Sequence, residues 1–211
     1  MRIFKAIVGL VETNCYIIYE PGIKEAIIID PGSRSDNLDD AIDKLSLNGF
    51  NFKYILLTHG HFDHIGAAAY YSNKTGAKIL MHKDDEKFIL DGSLNLGYGV
   101  KQAKVEPFKP YRLLEDNDKI DAVGEEFKVL ATPGHTCGSC CYLVKNIIFT
   151  GDTLMRSSVG RTDFPTGSTS SLIKSIKRLK GLEGNYKIYP GHMEATDLDY
   201  ERSNNYYFSI Y

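Results

Sequence analysis

The chain has 211 residues, 43% hydrophobic and 25% charged, with 25 Lys and Arg against 27 Asp and Glu for a formal net charge of −2. That length and composition predict one globular domain spanning 1–211, built from two similar halves of about 1–110 and 111–211, and exclude a disordered tail. Near-neutrality removes any bulk attraction for nucleic acid or anionic lipid, and apolar runs such as Cys15–Tyr19 fall far short of the roughly 20 residues a membrane helix needs.

Short β-rich runs bounded by Gly and Pro predict strands over Ile3–Val8, Cys15–Tyr19 and Ala26–Ile29. A helix is expected over Asp36–Asn48, where Leu38, Ile42 and Leu45 share a face, Ser33 or Ser35 can cap, and Gly49 stops the run. A buried strand Tyr54–Leu57 leads into a His-rich turn, then a helix Ile65–Thr75 and a strand Lys78–Met81. Residues 83–110 read as a short helix followed by a loop or flap. In the second half, Lys119–Val123 with Phe127–Leu130, and Cys141–Val144 with Ile147–Phe149, read as hairpin-like strand pairs. Helix Ser171–Lys180, strand Lys187–Tyr189 and one terminal helix after Thr196 complete the pattern. The cations Lys174, Lys177, Arg178 and Lys180 lie opposite the apolar stripe of their helix and read as a solvated face.

Five of the six histidines fall in three Gly-containing turns: Thr58-His59-Gly60-His61-Phe62-Asp63-His64, Thr132-Pro133-Gly134-His135 and Pro190-Gly191-His192. A fourth turn, Thr150-Gly151-Asp152, adds a carboxylate. Each turn follows an apolar strand, and residues leaving neighbouring strands converge on one sheet edge. His59 and His61, two apart on extended chain, point to one side, while Asp63 and His64 enter a helix and face a second point. Imidazoles with carboxylates suit zinc, iron or manganese, and two such ions about 3.5–4 Å apart, bridged by a carboxylate and a water, form a catalytic pair. His82 follows a strand without such a turn and is expected to stand apart.

The pattern His59-x-His61-x-Asp63-His64, followed by His135, Asp152 and His192, resembles the signature of the metallo-β-lactamase-fold hydrolases across nearly the whole chain. Gly160-Arg161-Thr162-Asp163-Phe164-Pro165 and the turn around Asp152 are similar to the glyoxalase II-like (hydroxyacylglutathione hydrolase-like) branch. The short chain after His192 matches a form without the C-terminal helical domain that helps hold glutathione. The resemblance implies an α/β fold, an αββα four-layer sandwich with metals at one sheet edge. It gives His59, His61 and His135 to one divalent ion, Asp63, His64 and His192 to a second, and makes Asp152 the bridge, with zinc the first expectation and iron or manganese the alternatives.

The implied chemistry is attack of a metal-bridged hydroxide, oriented by Asp63, on the carbonyl of a thioester such as an S-2-hydroxyacyl thiol. A thiolate departs with little proton assistance, because its conjugate acid has a pKa of about 8.5. A mononuclear iron persulfide dioxygenase is the alternative, since Gly160–Phe164 and the same ligand pattern also resemble that branch. Arg161 either anchors a substrate carboxylate or pairs internally with Asp163, and Asp30 either orients a ligand histidine or shapes its turn. The Cys137-x-x-Cys140 spacing runs into a strand and reads as packing rather than a redox pair. Lys5 and Glu12 interrupt any leader-like apolar stretch, and the four cysteines do not form a disulfide framework. The expectation is a cytoplasmic enzyme of a small-molecule thioester, with neither nucleic acid nor membrane as partner.

Overall fold

Burial is nearly continuous along the central strands, whose successive residues face opposite sides, so each sheet has two apolar faces and one of them meets the other sheet. In the computed structural model, which describes residues 1–100 and 103–210, strands β1 (Arg2–Val8), β2 (Thr13–Glu20), β3 (Glu25–Ile29), β4 (Asn51–Leu56), β5 (Lys78–His82) and β6 (Arg112–Leu114) form one sheet in that order. The first three pair antiparallel, and β3 to β6 run parallel. The second sheet has the order β14-β13-β10-β9-β8-β7, comprising β7 (Lys119–Ala122), β8 (Glu125–Ala131), β9 (Cys140–Val144), β10 (Ile147–Gly151), β13 (Lys187–Pro190) and β14 (Thr196–Asp197). A small ribbon joins β11 (Leu154–Met155) to β12 (Ser158–Val159).

Tyr16, Ile18, Ile27, Ile29 and Leu56 point inward from the first sheet and meet Phe127, Val129, Tyr142, Val144 and Phe149 from the second. Their neighbours Cys15, Ile17, Ile28 and Ile55 face outward, onto Leu38 and Ile42 of α1 (Asp36–Leu47) and Tyr71 of α3 (Ala68–Thr75). On the opposite side Leu130, Cys141, Ile148 and Ile188 pack against Leu172, Ile176 and Leu179 of α4 (Thr169–Lys180), with Leu198 of α5 (Leu198–Asn204) and Phe208 of α6 (Tyr206–Ile210). The result is the expected single-domain αββα sandwich, in which period-two alternation buries both faces of each sheet.

Three expectations need correction. The helix expected over Ile65–Thr75 is two pieces, α2 (Phe62–Ile65) and α3, because the Ala67 amide donates to the Pro31 carbonyl (3.0 Å) instead of continuing a single ladder. The single terminal helix is split at Asn205, whose side chain donates to the Ser158 carbonyl (3.1 Å) and to Glu201 (2.7 Å). Helix α4 begins at Thr169 rather than Ser171, because the Ser168 hydroxyl accepts from the Ser171 amide and caps it. The short helix after β5 is a 3-10 turn, Lys83–Ile89; of the loop that follows, Lys101 and Gln102 lie outside the described residues, as does Tyr211 beyond α6. No helix among the described residues is long and apolar enough to cross a membrane.

Candidate metal centre

The ends of β4, β8, β10 and β13 lie along one edge of the sandwich, and the four turns leaving them bring the seven expected residues together. His61 Nδ1 and His135 Nε2 are 3.0 Å apart, and His135 Nε2 is 3.5 Å from Asp152 Oδ2. His64 Nε2 lies 3.3 Å from Asp63 Oδ2 and 3.5 Å from Asp152 Oδ1, while His192 Nε2 lies 3.2 Å from Asp63 Oδ2 and 3.6 Å from Asp152 Oδ2. Potential ligand atoms therefore gather in overlapping groups: His59, His61 and His135; His59, His64 and Asp152; Asp63, His64 and His192.

The surrounding bonds decide which ring nitrogens face inward. Asp30 Oδ2 accepts from His64 Nδ1 (2.9 Å), and the Arg161 carbonyl accepts from His135 Nδ1 (2.7 Å). The Thr58 hydroxyl donates to Asp30 (2.6 Å), which leaves its oxygen free to accept from His59 Nδ1 at 3.2 Å. These bonds at Nδ1 turn Nε2 of His59, His64 and His135 toward the centre. His59 Nε2, His61 Nε2, His64 Nε2 and Asp152 Oδ1 are buried without a hydrogen-bond partner, although His64 Nε2 faces Asp63 and Asp152 within 3.5 Å. Buried polar atoms are ordinarily satisfied, so four orphans in one place fit divalent metal binding.

Electrostatics divide the cluster. Burial, reinforced by neighbouring histidines, holds His59 well below the usual imidazole range and His61 down to about 3, keeping both rings neutral as ligands must be. Burial opposes ionisation of Asp63, but His64 and His192 outweigh it and hold the carboxyl well below its usual range. Burial also opposes protonation of His64, yet Asp63, Asp152 and Asp30 together raise it.

Asp30 stands against His64, and Arg161 forms a bidentate pair with Asp163 (2.7 and 2.6 Å) while stacking on Phe164 (4.0 Å). His82 lies outside the cluster and accepts from the Asp84 amide, capping the 3-10 turn. The four cysteines are free. Sequence reasoning missed Asp85, a fully buried carboxylate that accepts from the Gly60 amide (2.8 Å), the Thr136 hydroxyl (2.7 Å) and the Gly138 amide (2.7 Å). It ties the turn carrying His59 and His61 to the turn carrying His135. Nothing local in Lys83-Asp84-Asp85-Glu86 distinguishes it from a solvated acidic run.

The Metallo-beta-lactamase superfamily model matches residues 8–192. An uncharacterised protein of Mycobacterium tuberculosis is 36% identical over 211 residues, covering 93% of each chain. Hydroxyacylglutathione hydrolase GloC of Haemophilus influenzae is 34% identical over 198 residues, covering 92% of each. Among solved structures, BLEG-1 B3 metallo-beta-lactamase superposes with a TM-score of 0.88 at 29% identity, covering 99% of this chain and 100% of that one. TTHA1623 in a di-iron-bound form gives 0.79 at 30% identity (97% and 99% covered), and ETHE1 from Myxococcus xanthus gives 0.79 at 26% (98% and 84%). With its fold, its four strand-end turns and a family match over most of its length, the chain belongs to the metallo-beta-lactamase superfamily.

Proposed function

We propose that the protein is a dinuclear metal-dependent thioester hydrolase of the glyoxalase II-like branch. The observation that carries this reading is the set of four buried atoms without hydrogen bonds on His59, His61, His64 and Asp152. In this reading His59, His61 and His135 hold one divalent ion, Asp63, His64 and His192 hold the other, and Asp152 serves both. Zinc is the first expectation and iron or manganese the alternatives; the likeness to GloC supports hydrolysis, and the likeness to a di-iron protein supports paired occupancy.

When bound, such ions lower the pKa of a shared water toward neutrality and polarise a substrate carbonyl. The chain's own residues supply orientation. Asp30, Thr58 and the Arg161 carbonyl fix the His64, His59 and His135 rings, so no rotation is needed during reaction. Asp63, kept ionised by His64 and His192 and steadied by a bond from Thr13 (2.9 Å), is placed to accept a hydrogen bond from an attacking water. A thiol leaving group suits the site because it departs as a thiolate.

A second reading, a mononuclear iron persulfide dioxygenase, draws support from the likeness to ETHE1. One experiment separates the two: metal content per chain of protein purified without added metal, followed by a panel of 2-hydroxyacyl thioesters, a persulfide with oxygen uptake, and a cephalosporin. About two ions per chain with thioester hydrolysis that a chelator abolishes supports the hydrolase. One iron per chain with oxygen uptake replaces it with the dioxygenase, and turnover of the cephalosporin alone moves the assignment toward BLEG-1.

A further inference from the structure

Beside the metal cluster lies a cleft of about 360 Å³, within the size range of small-molecule sites. Its walls come from the β1–β2 turn (Gly9 and Leu10), the β3–α1 loop (Ser33 and Arg34), Tyr70 of α3 and the segment Ala103–Glu106, and Asp63 itself lines it. The cleft therefore reaches one of the residues assigned to the second ion, Asp63. Its floor is tight backbone: a Cβ on Gly32 would sit 1.3 Å from the Asp63 carbonyl oxygen, so this glycine lets the loop bearing Arg34 lie directly against the turn bearing Asp63.

Two cations face this space. The Arg34 guanidinium is stacked over the Tyr70 ring at 3.9 Å, which limits its rotamers without neutralising its charge. Among the described residues neither Arg34 nor Lys104 forms an ion pair, so both charges stay available to a ligand. Asp63 is committed to His64, His192 and Thr13. The charged lining is balanced, Arg34 and Lys104 against Glu106 and Asp63, but with Asp63 already committed the two cations remain as donors, which suits one carboxylate better than a dianionic phosphate.

We propose that this cleft is an anion subsite in which Arg34 and Lys104 hold a carboxylate carried by the substrate, beside the metal centre. The substrate class, a carboxylate-bearing thioester, rests on the hydrolase reading; the anion site itself does not. A planar guanidinium held by stacking is preorganised for a carboxylate, and Lys104 adds a movable second donor.

The test uses two small thioethers that differ by one carboxylate, S-methyl-N-acetylcysteine and S-methyl-N-acetylcysteamine, titrated into nitrogen-15-labelled metal-loaded protein. The carboxylate probe should shift the amide signals of Gly9, Ser33, Arg34 and Lys104 and bind about tenfold more tightly than its neutral partner, a preference that weakens with salt. Arg34→Gln should erase that preference, and Lys177→Gln on the outer face of α4 should preserve it. Equal binding of the two probes, or carboxylate-dependent shifts only elsewhere, overturns the proposal. Selective binding at the cleft without hydrolysis of any thioester leaves the anion site standing and removes the hydrolase reading instead.

Discussion

Asp30 reaches across from the end of β3 to accept a hydrogen bond from His64 Nδ1 at 2.9 Å, and the same carboxylate takes the Thr58 amide (2.8 Å) and hydroxyl (2.6 Å). One buried side chain thereby orients His64 directly and His59 through Thr58. Asp30 sits in the left-handed region (φ 52), a conformation that Asn adopts more readily than Ala does. Asp30→Asn should fold but cannot accept from all three donors. Metal affinity, measured by competition with a chromogenic chelator, should fall about 10- to 100-fold, as expected when a ligand's outer partner is lost. Unchanged affinity would show that Asp30 only shapes its turn.

Asp85 does for the backbone what Asp30 does for the rings. Burial pushes its carboxyl above the usual range, yet it accepts from the Gly60 and Gly138 amides and the Thr136 hydroxyl. Asp85→Ala strands the Gly60 and Gly138 amides, while the Thr136 hydroxyl keeps Ser139 Oγ at 2.8 Å, and at about 1–3 kcal/mol for each unsatisfied group that water does not reach, the loss should total about 2 kcal/mol or more. Urea denaturation of the metal-free protein checks this; a loss below about 1 kcal/mol would mean that water replaces the carboxylate.

The layers and the metal cluster are legible in the sequence because both arise from strong local signals. Ile17 and Ile28 against Ile18 and Ile27 spell out two buried faces at period two, and His59, His61, His64, His135 and His192 each sit beside a glycine turn that ends a strand. What is not legible depends on partners far along the chain. Strand β6 is three residues long and gains its identity only by pairing with β5, through Leu80 opposite Arg112 and His82 opposite Leu114. The break before α3 is set by the Pro31 carbonyl, more than thirty residues upstream. Asp85 is anonymous until folding brings Gly60 and Gly138 to it. Arg34 looks like a loop cation until Tyr70 and Lys104 arrive beside it.

Gly191 offers a test of crowding at the centre. A Cβ there would lie 2.3 Å from Asp152 Oδ1 and 2.7 Å from His64 Cε1. His64 is held by Asp30 and the Gly151 backbone lies 3.1 Å away, so the strain falls chiefly on Asp152, and Gly191→Ala should lose about 1–3 kcal/mol or more, typical of local overpacking. The displaced Asp152 should nonetheless reduce metal content toward one ion per chain, read by elemental analysis after dialysis. Full occupancy in this variant would argue that Asp152 does not bridge.

The depressed histidines give metal-free protein a defined pH dependence. His61 is held at about 3 by burial and by His135, whereas in the unfolded chain it protonates near about 6.5. Between those values the unfolded state binds a proton that the folded site refuses, so stability falls as pH falls, by up to about 1.4 kcal/mol per pH unit for each such group. His59 acts in the same direction. His64 and His192 are raised, so their contribution is complete below the unfolded value and is lost only as pH rises through the folded one. They add no slope on the acid side. Chelator-treated protein should therefore lose stability between pH 6 and pH 5, and His61→Asn should flatten that slope by about 1 kcal/mol per pH unit in urea denaturation. Parallel slopes for the two proteins would mean that His61 takes up its proton in the folded state, and that the cluster opens to solvent once its ions are removed.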